Sequence, residues 1–350
     1  MFKNYLKTAM RNLLRYKGYS LINISGLAIG LACCFVIILF VRHELSYDRF
    51  HELAPRIYRL LHASKSDPKS RSALSASAYA PHLLQEFPEI EQAVRFFTNA
   101  GAANLKSGSE VRTVNGLVFA DASLFEVFSF RLRRGNPATA LTAPNAMVIA
   151  SSAAQSWFGN EDPLGKTIFY LRDGQKLALQ ITGVLEDVPS NSHLQFDYLV
   201  SFNMLKILRG DDALSEYTNF NYYTYLLLRK SVAPEQLASR FPDFLRKYRN
   251  EYTANNTLLV LQPLDDIHLN TSITWDLGTN SDKKYLYIFS AVAFLILLIA
   301  NINFINLATA RAALRAKEVG VRKVVGAKRR QVVQQMFGES LLSCAVAVIL

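Results

Sequence analysis

Apolar positions follow two different rhythms along this chain. Residues 21–41 and 285–310 are continuous apolar runs without a charged side chain, and residues 341–350 begin a third. Between the first two runs, apolar and polar residues trade places in short segments. A bilayer core about 30 Å thick takes roughly twenty helical residues, so 21–41 and 285–310 predict transmembrane helices. The third run covers about half a span, which predicts the truncated start of another helix over 336–350; the chain is expected to be the N-terminal portion of a longer protein.

The first run is longer than a signal-peptide core and continues straight into Arg42, His43 and Glu44, so it reads as a retained helix. Ahead of it, Phe2, Tyr5, Leu6, Ala9, Met10, Leu13 and Leu14 recur at helical spacing beside Lys3, Lys7, Arg11 and Arg15. That pattern predicts an amphipathic helix over 1–20 lying on membrane lipid. Within the run, Gly26 and Gly30 form a small-residue face that admits a second helix backbone; in the second run Asn303 and Asn306 are candidate helix-packing residues.

The segment 42–284 reads as an α+β domain. Strands are predicted over 56–62, 94–98, 111–119, 146–149, 196–202, 222–228 and 258–261, and a helix over 79–87 that ends at Pro88. A turn at Gly135, Asn136 and Pro137 opens a second block, with Ser151 capping a helix to Phe158 and a hairpin of 167–171 with 177–185 across Asp173 and Gly174. This block, about 135–195, is expected to be an inserted subdomain, giving two subdomains in all. A helix over 234–248 starts with Pro234 in its first turn.

Charge gives the orientation. The net +11 lies wholly outside the middle domain, since 42–284 carries equal numbers of acids and bases. Bases gather before the first run and, with Glu318 as the one acid, along Arg311, Arg315, Lys317, Arg322, Lys323, Lys328, Arg329 and Arg330. By the positive-inside rule both flanks are cytoplasmic and 42–284 is extracytoplasmic. A pI near 9.5 on a nucleic-acid binder would place a basic face on the folded domain, so nucleic acid is excluded as a partner. Cys33, Cys34 and Cys344 all sit in apolar segments, leaving no disulfide inside the middle domain.

A search for chemistry returns little. The six histidines are scattered without an HxxxH or HExxH pair, so no metal site is predicted. Gly159 to Gly165 with Lys166 differs from a phosphate loop in its spacing and carries Glu161 and Asp162, which would repel phosphate; it reads as a turn before a strand. No GxSxG or SxxK frames a nucleophile. The chain is therefore expected to be non-catalytic and without a cofactor of its own.

The stretch Lys317-Glu318-Val319-Gly320-Val321-Arg322, with Gly326-Ala327 and Glu339-Ser340-Leu341-Leu342 after it, resembles the post-span segment of FtsX/MacB-type ABC transporter permeases. The opening Asn23-Ile24-Ser25-Gly26 and the segment Tyr47-Asp48-Arg49-Phe50-His51 are similar to the same family, and Pro189-Ser190-Asn191-Ser192-His193 resembles its MacB-like periplasmic core domain. The resemblance implies a permease subunit in the inner membrane whose segment 311–335 meets a separate ABC ATPase, with Arg315, Lys317, Glu318, Gly320, Arg322, Gly326 and Ala327 at the contact and ATP bound by that partner. It further implies a second permease half or subunit, a periplasmic adaptor or envelope protein, and an amphiphilic cargo (lipoprotein, peptide or drug) or control of an envelope enzyme. From the residues alone, Glu318 can pair with Arg315 or Arg322, Val321, Val324 and Val325 can pack on the helix bundle, and Gly326 permits a left-handed helix end. The alternative reading is a two-span receptor with a ligand-binding ectodomain.

Overall fold

The computed structural model describes residues 10–11, 17–98, 101–278, 280–314, 316–326 and 329–350. Helix α1 (Lys17–Glu44) is followed by strands β1 (Ile57–Ser64), β2 (Asp67–Ser72) and β3 (Ser75–Ala76), helix α2 (Tyr79–Glu86), and strands β4 (Ile90–Thr98), β5 (Ala103–Ser107), β6 (Glu110–Val114) and β7 (Leu117–Ala120). Then come α3 (Leu124–Val127), β8 (Leu132–Gly135), β9 (Ala146–Ala150), α4 (Ser151–Phe158), β10 (Thr167–Arg172), β11 (Gln175–Leu185), β12 (Tyr198–Ser201) and α5 (Met204–Arg209). The middle region ends with β13 (Phe220–Leu228), α6 (Pro234–Ser239), α7 (Phe241–Tyr248), α8 (Glu251–Asn256), β14 (Thr257–Pro263) and β15 (Ile273–Thr274), before α9 (Lys283–Leu314), α10 (Ala316–Val324) and α11 (Arg329–Ile349).

These elements form two units. One joins the two ends of the chain, up to Leu45 and from Lys283; the other is Ser46–Asp282. In the first, Lys17–Glu44, Lys283–Ala310 and Val332–Ile349 are helices long and apolar enough to cross a membrane. Large apolar side chains such as Leu21, Ile29, Phe35, Phe294 and Ile299 stand exposed on them. Helices apolar all round with so little of that surface covered suit an apolar surrounding rather than water. The third is longer than residues 341–350 alone suggest, because the apolar part of the helix begins upstream at Val332, with Glu339 its one charged residue.

The second unit is an α+β domain built on one mixed fifteen-stranded sheet, whose main path runs β15-β2-β1-β13-β4-β7-β12-β9-β11-β10-β5-β6. β7 with β12 and β9 with β11 are parallel pairs, while β1, β13 and β4 pair antiparallel. One core gathers Phe96, Phe128, Phe130 and Tyr225, a second Phe119, Trp157 and Tyr170, and a third Tyr79, Phe241 and Phe244 under α2 and α7. The segment 135–195 does not stand apart as an inserted subdomain. Its strands share this sheet, and its core extends to Phe97, Ala103 and Tyr222.

Three local departures have plain causes. The strand expected over 111–119 is two strands, β6 and β7, separated at Gly116 (φ +71°), where a Cβ would lie 3.1 Å from the Asp197 nitrogen. The helix expected over 234–248 is α6 and α7, split because Pro242 supplies no N–H at the start of α7. Ser151 does not cap α4 through its side chain; its hydroxyl donates to Leu185 O at 2.9 Å, and Asp187 Oδ1 accepts from Ser152 N instead. The hairpin of β10 and β11 turns on Asp173 and Gly174, at φ +50° and +75°, the pair of left-handed residues a tight hairpin of this kind requires.

Candidate functional site

Two places in the chain hold unusual concentrations of structure: the polar break between α9 and α11, and the base of the middle unit where the chain enters and leaves it. At the break, nine residues form α10 and Gly326 then adopts φ +99° before α11 begins. Gly320 and Gly326 are exposed, with open space where a Cβ would stand. Lys317, Glu318 and Arg322 fall on α10 by backbone position, whereas Arg315 and Ala327 lie outside the described residues, as does most of 1–20. Val321, Val324 and Val325 are not packed on the bundle: they are 64%, 88% and 82% exposed. In an isolated chain, a short polar helix flanked by exposed valines presents a surface rather than a core.

In the helical unit, α1 and α9 run antiparallel, with Phe40 edge-on to Phe289 and Cys34 Sγ donating to Ala293 O at 3.2 Å. Gly30 lies so close to α9 that a Cβ would sit 2.8 Å from Ala300 Cβ, and a Cβ at Gly26 would sit 3.3 Å from Asn303 Nδ2. Absent side chains let the backbones approach. Asn306 is exposed.

At the base of the middle unit the structure assembles residues that sequence spacing keeps far apart. Asp48, four residues past α1, is buried at φ +58°. It accepts from Ser192 Oγ and His193 N, each at 3.1 Å, and His193 Nδ1 lies 2.8 Å from its Oδ2. His193 Nε2 is 2.8 Å from the Tyr225 hydroxyl. On the neighbouring strand Arg59, 0% exposed, makes a bidentate contact with Asp276 and also donates to Gln262 Oε1 at 2.8 and 3.1 Å. Asp276 in turn accepts from Leu277 N and Asn280 Nδ2, each at 2.8 Å. Tyr47 stacks flat on His268 with ring centroids 3.3 Å apart, and His268 O accepts from Ser281 N at 2.8 Å. The segment following α1 and the segment preceding α9 are thus both fastened to the strand pair β1 and β13.

Electrostatics keep this cluster ionised where it needs to be. Burial pushes the Asp48 and Asp276 carboxyls up, but His193 beside the first, and Arg59 with Asn280 and Leu277 N beside the second, hold both below the usual carboxylate range. His51 is different. Burial drives it down to about 4, its Nδ1 accepts from Ser129 N at 3.0 Å, and its Nε2 is 4.0 Å from Asp48 Oδ1. Among the described residues no group of three His, Cys, Asp or Glu side chains is arranged to hold a metal ion. The scattered histidines of the sequence are therefore not all isolated: His51 and His193 converge on Asp48. Their sequence signal lies in two short segments, Tyr47 to His51 with Asp48 and His51, and Asn191 to His193 with His193.

Comparison with known proteins gives this arrangement a context. The MacB-like periplasmic core domain family matches residues 20–244, and the FtsX-like permease C-terminal family matches residues 290–350. The macrolide export ATP-binding/permease protein MacB of Aggregatibacter actinomycetemcomitans is 25% identical over 256 residues, covering 69% of this chain and 36% of that protein. Its Pasteurella multocida counterpart is 25% identical over 237 residues, covering 65% and 33%. The chain spans about a third of the length of these curated relatives. A crystal structure of a domain assigned to a permease protein from Porphyromonas gingivalis shares the fold, with a TM-score of 0.53 at 22% identity over 61% of this chain and 92% of that one. With its first long helix and middle unit matched by one family and its later helices by the other, the chain belongs to the FtsX/MacB-type permeases.

Proposed function

We propose that this chain acts as the permease subunit of an ABC transporter in the inner membrane, with ATP bound and hydrolysed by a separate ATPase. In this reading α1, α9 and α11 cross the bilayer and 42–284 lies outside, as the basic flanks dictate. The partner pushes on the polar break of 311–335, and the motion reaches the outer domain through the ends of α1 and α9. A second permease half or subunit completes the assembly. The relatives named for ATP binding, permeation and macrolide export support a cargo of amphiphilic character, whether lipoprotein, peptide or drug, or control of an envelope enzyme.

The observation that carries this reading is the sequence of a membrane-length helix, a nine-residue polar helix, a left-handed glycine and another membrane-length helix, in a chain of this family. A rigid polar element joined through one tight turn is suited to receive force. The test is Gly326→Val together with Glu318→Lys in the full-length protein. Valine opposes the left-handed backbone by about 1 kcal/mol or more, and lysine reverses the single acid of the segment. Both should reach the membrane in normal amounts but lose ATPase co-purification or cargo-linked hydrolysis. Equal binding and stimulation in both variants would reduce the segment to a topology signal.

A further inference from the structure

Trp275 combines three properties that rarely coincide. Its backbone is left-handed at φ +57°, its side chain is 73% exposed, and it lines two separate cavities of about 360 and 460 Å³. A bulky residue at positive φ is a genuine outlier, and such strain persists only when the surroundings over-determine it. Here they do. On one side Thr274 is held in β15, with Ala73 N donating to Thr274 O at 3.0 Å and Thr274 Oγ1 to Arg71 O at 3.1 Å. On the other, Asp276 is gripped by Arg59, Asn280 and Leu277 N. The backbone between these two anchors displays the indole to solvent.

The first cavity's wall is polar and apolar in about equal parts, with Phe96, Leu117, Leu194 and Phe196 on the apolar side and Thr98 and Gln195 adding neutral polar groups. The second is walled by Leu74 and Phe220, with Ser72 and Asn221. Among the described residues lining them, neither offers a free charge. Asp276 is committed to Arg59, burial pushes the Tyr223 phenol up, and burial followed by Arg249 pushes His62 down, so both stay uncharged at neutral pH. A charged ligand would lose its hydration here with no counter-charge to replace it. We infer that the two cavities and the Trp275 indole between them form a binding site for a small, uncharged molecule with an apolar body and a hydrogen-bonding group. Its size falls in the range of ordinary small-molecule sites, and it goes beyond the transport reading above without depending on an ATPase.

The chain has two tryptophans, and the other, Trp157, is buried with its indole donating to Tyr198 OH at 2.9 Å. Fluorine NMR of the fluorotryptophan-labelled full chain in nanodiscs therefore reads the site against an internal control, with Trp275→Gly assigning the signals. Three probes of one shape are titrated: adamantanol, adamantane carboxylate and adamantyl ammonium. Adamantanol should shift the Trp275 signal saturably and leave Trp157 unmoved, while the two ions bind more than about tenfold more weakly. Thr98→Phe, which fills the first cavity, should abolish the shift. Equal response to all three probes, movement of both signals together, or an undiminished shift in Thr98→Phe would overturn the inference.

Discussion

The helical unit and the base of the middle unit solve opposite packing problems. Between α1 and α9 the contact is made by what is missing: Gly30 against Ala300 and Gly26 against Asn303, backbones brought together by small residues. Around Arg59 and Asp48 the contact is made by what is present: a buried guanidinium, two carboxylates and two imidazoles, each placed by directional bonds. Close packing of small residues has little angular preference beyond shape, so neighbouring helices can shift against one another at modest cost. A desolvated ion pair has a steep one, because displacing either partner strands a buried charge. The difference teaches that compliance and rigidity are assigned to different units, with the rigid fastening placed where the chain crosses from helix to domain.

The largest effect should come from breaking the rigid side. Asp276→Ala leaves Arg59 buried without its carboxylate and should destabilise the middle unit by about 3–5 kcal/mol, read as a shift in its chemical unfolding midpoint; the double change Arg59→Met with Asp276→Leu should recover much of that loss. A full loss in the double variant would mean the pair is not the fastening. The next effect is pH-dependent. His51 titrates near 4 in the fold and near 6.5 when unfolded, so the unfolded chain binds the extra proton between these values. Its contribution is fully present above about pH 6.5 and falls by up to about 3 kcal/mol as pH drops towards 4. His51→Gln should flatten the stability profile in that window. The depressed Asp48 and Asp276 carboxyls act lower still, their stabilisation disappearing only as pH falls below the ordinary carboxylate range.

On the compliant side, Gly30→Ile drives a branched side chain into Ala300 and should cost about 1–3 kcal/mol of helix association. Disulfide cross-linking of Gly26→Cys with Asn303→Cys, compared with and without that change, reads it directly. An unchanged cross-linking yield would mean the close approach is not maintained. The smallest effect has the opposite sign. Trp275→Gly relieves a left-handed backbone and should stabilise the middle unit by about 1 kcal/mol, measured by calorimetry. No gain would show that the fastening of Thr274 and Asp276 imposes no strain.

Much of the architecture was legible because its causes are local. Charge-free runs marked α1 and α9, Pro88 ended α2, and Asp173 with Gly174 turned the β10–β11 hairpin. What the sequence hid depends on pairing at long range. No spacing rule connects Asp48 to His193, or Arg59 to Asp276, since each pair meets only after β1, β13 and the returning segment have been laid side by side. For the same reason 135–195 looks separable in the sequence: its turns are local and visible, whereas its shared sheet rests on β9 pairing with β12 and β10 with β5. Pro242 is the local signal that divides 234–248 into α6 and α7.

The stacked rings of Tyr47 and His268, with Ser281 bonded to His268, bring the beginning and end of the middle unit side by side. A segment whose termini already touch can be removed, exchanged or circularly rearranged without stretching whatever holds it. The pair of helices that carries it meets likewise at Phe40 and Phe289, so a short linker in its place would close the same hairpin. The unit is thereby a cassette, and lineages could trade one such domain for another while the helix pair kept its own geometry.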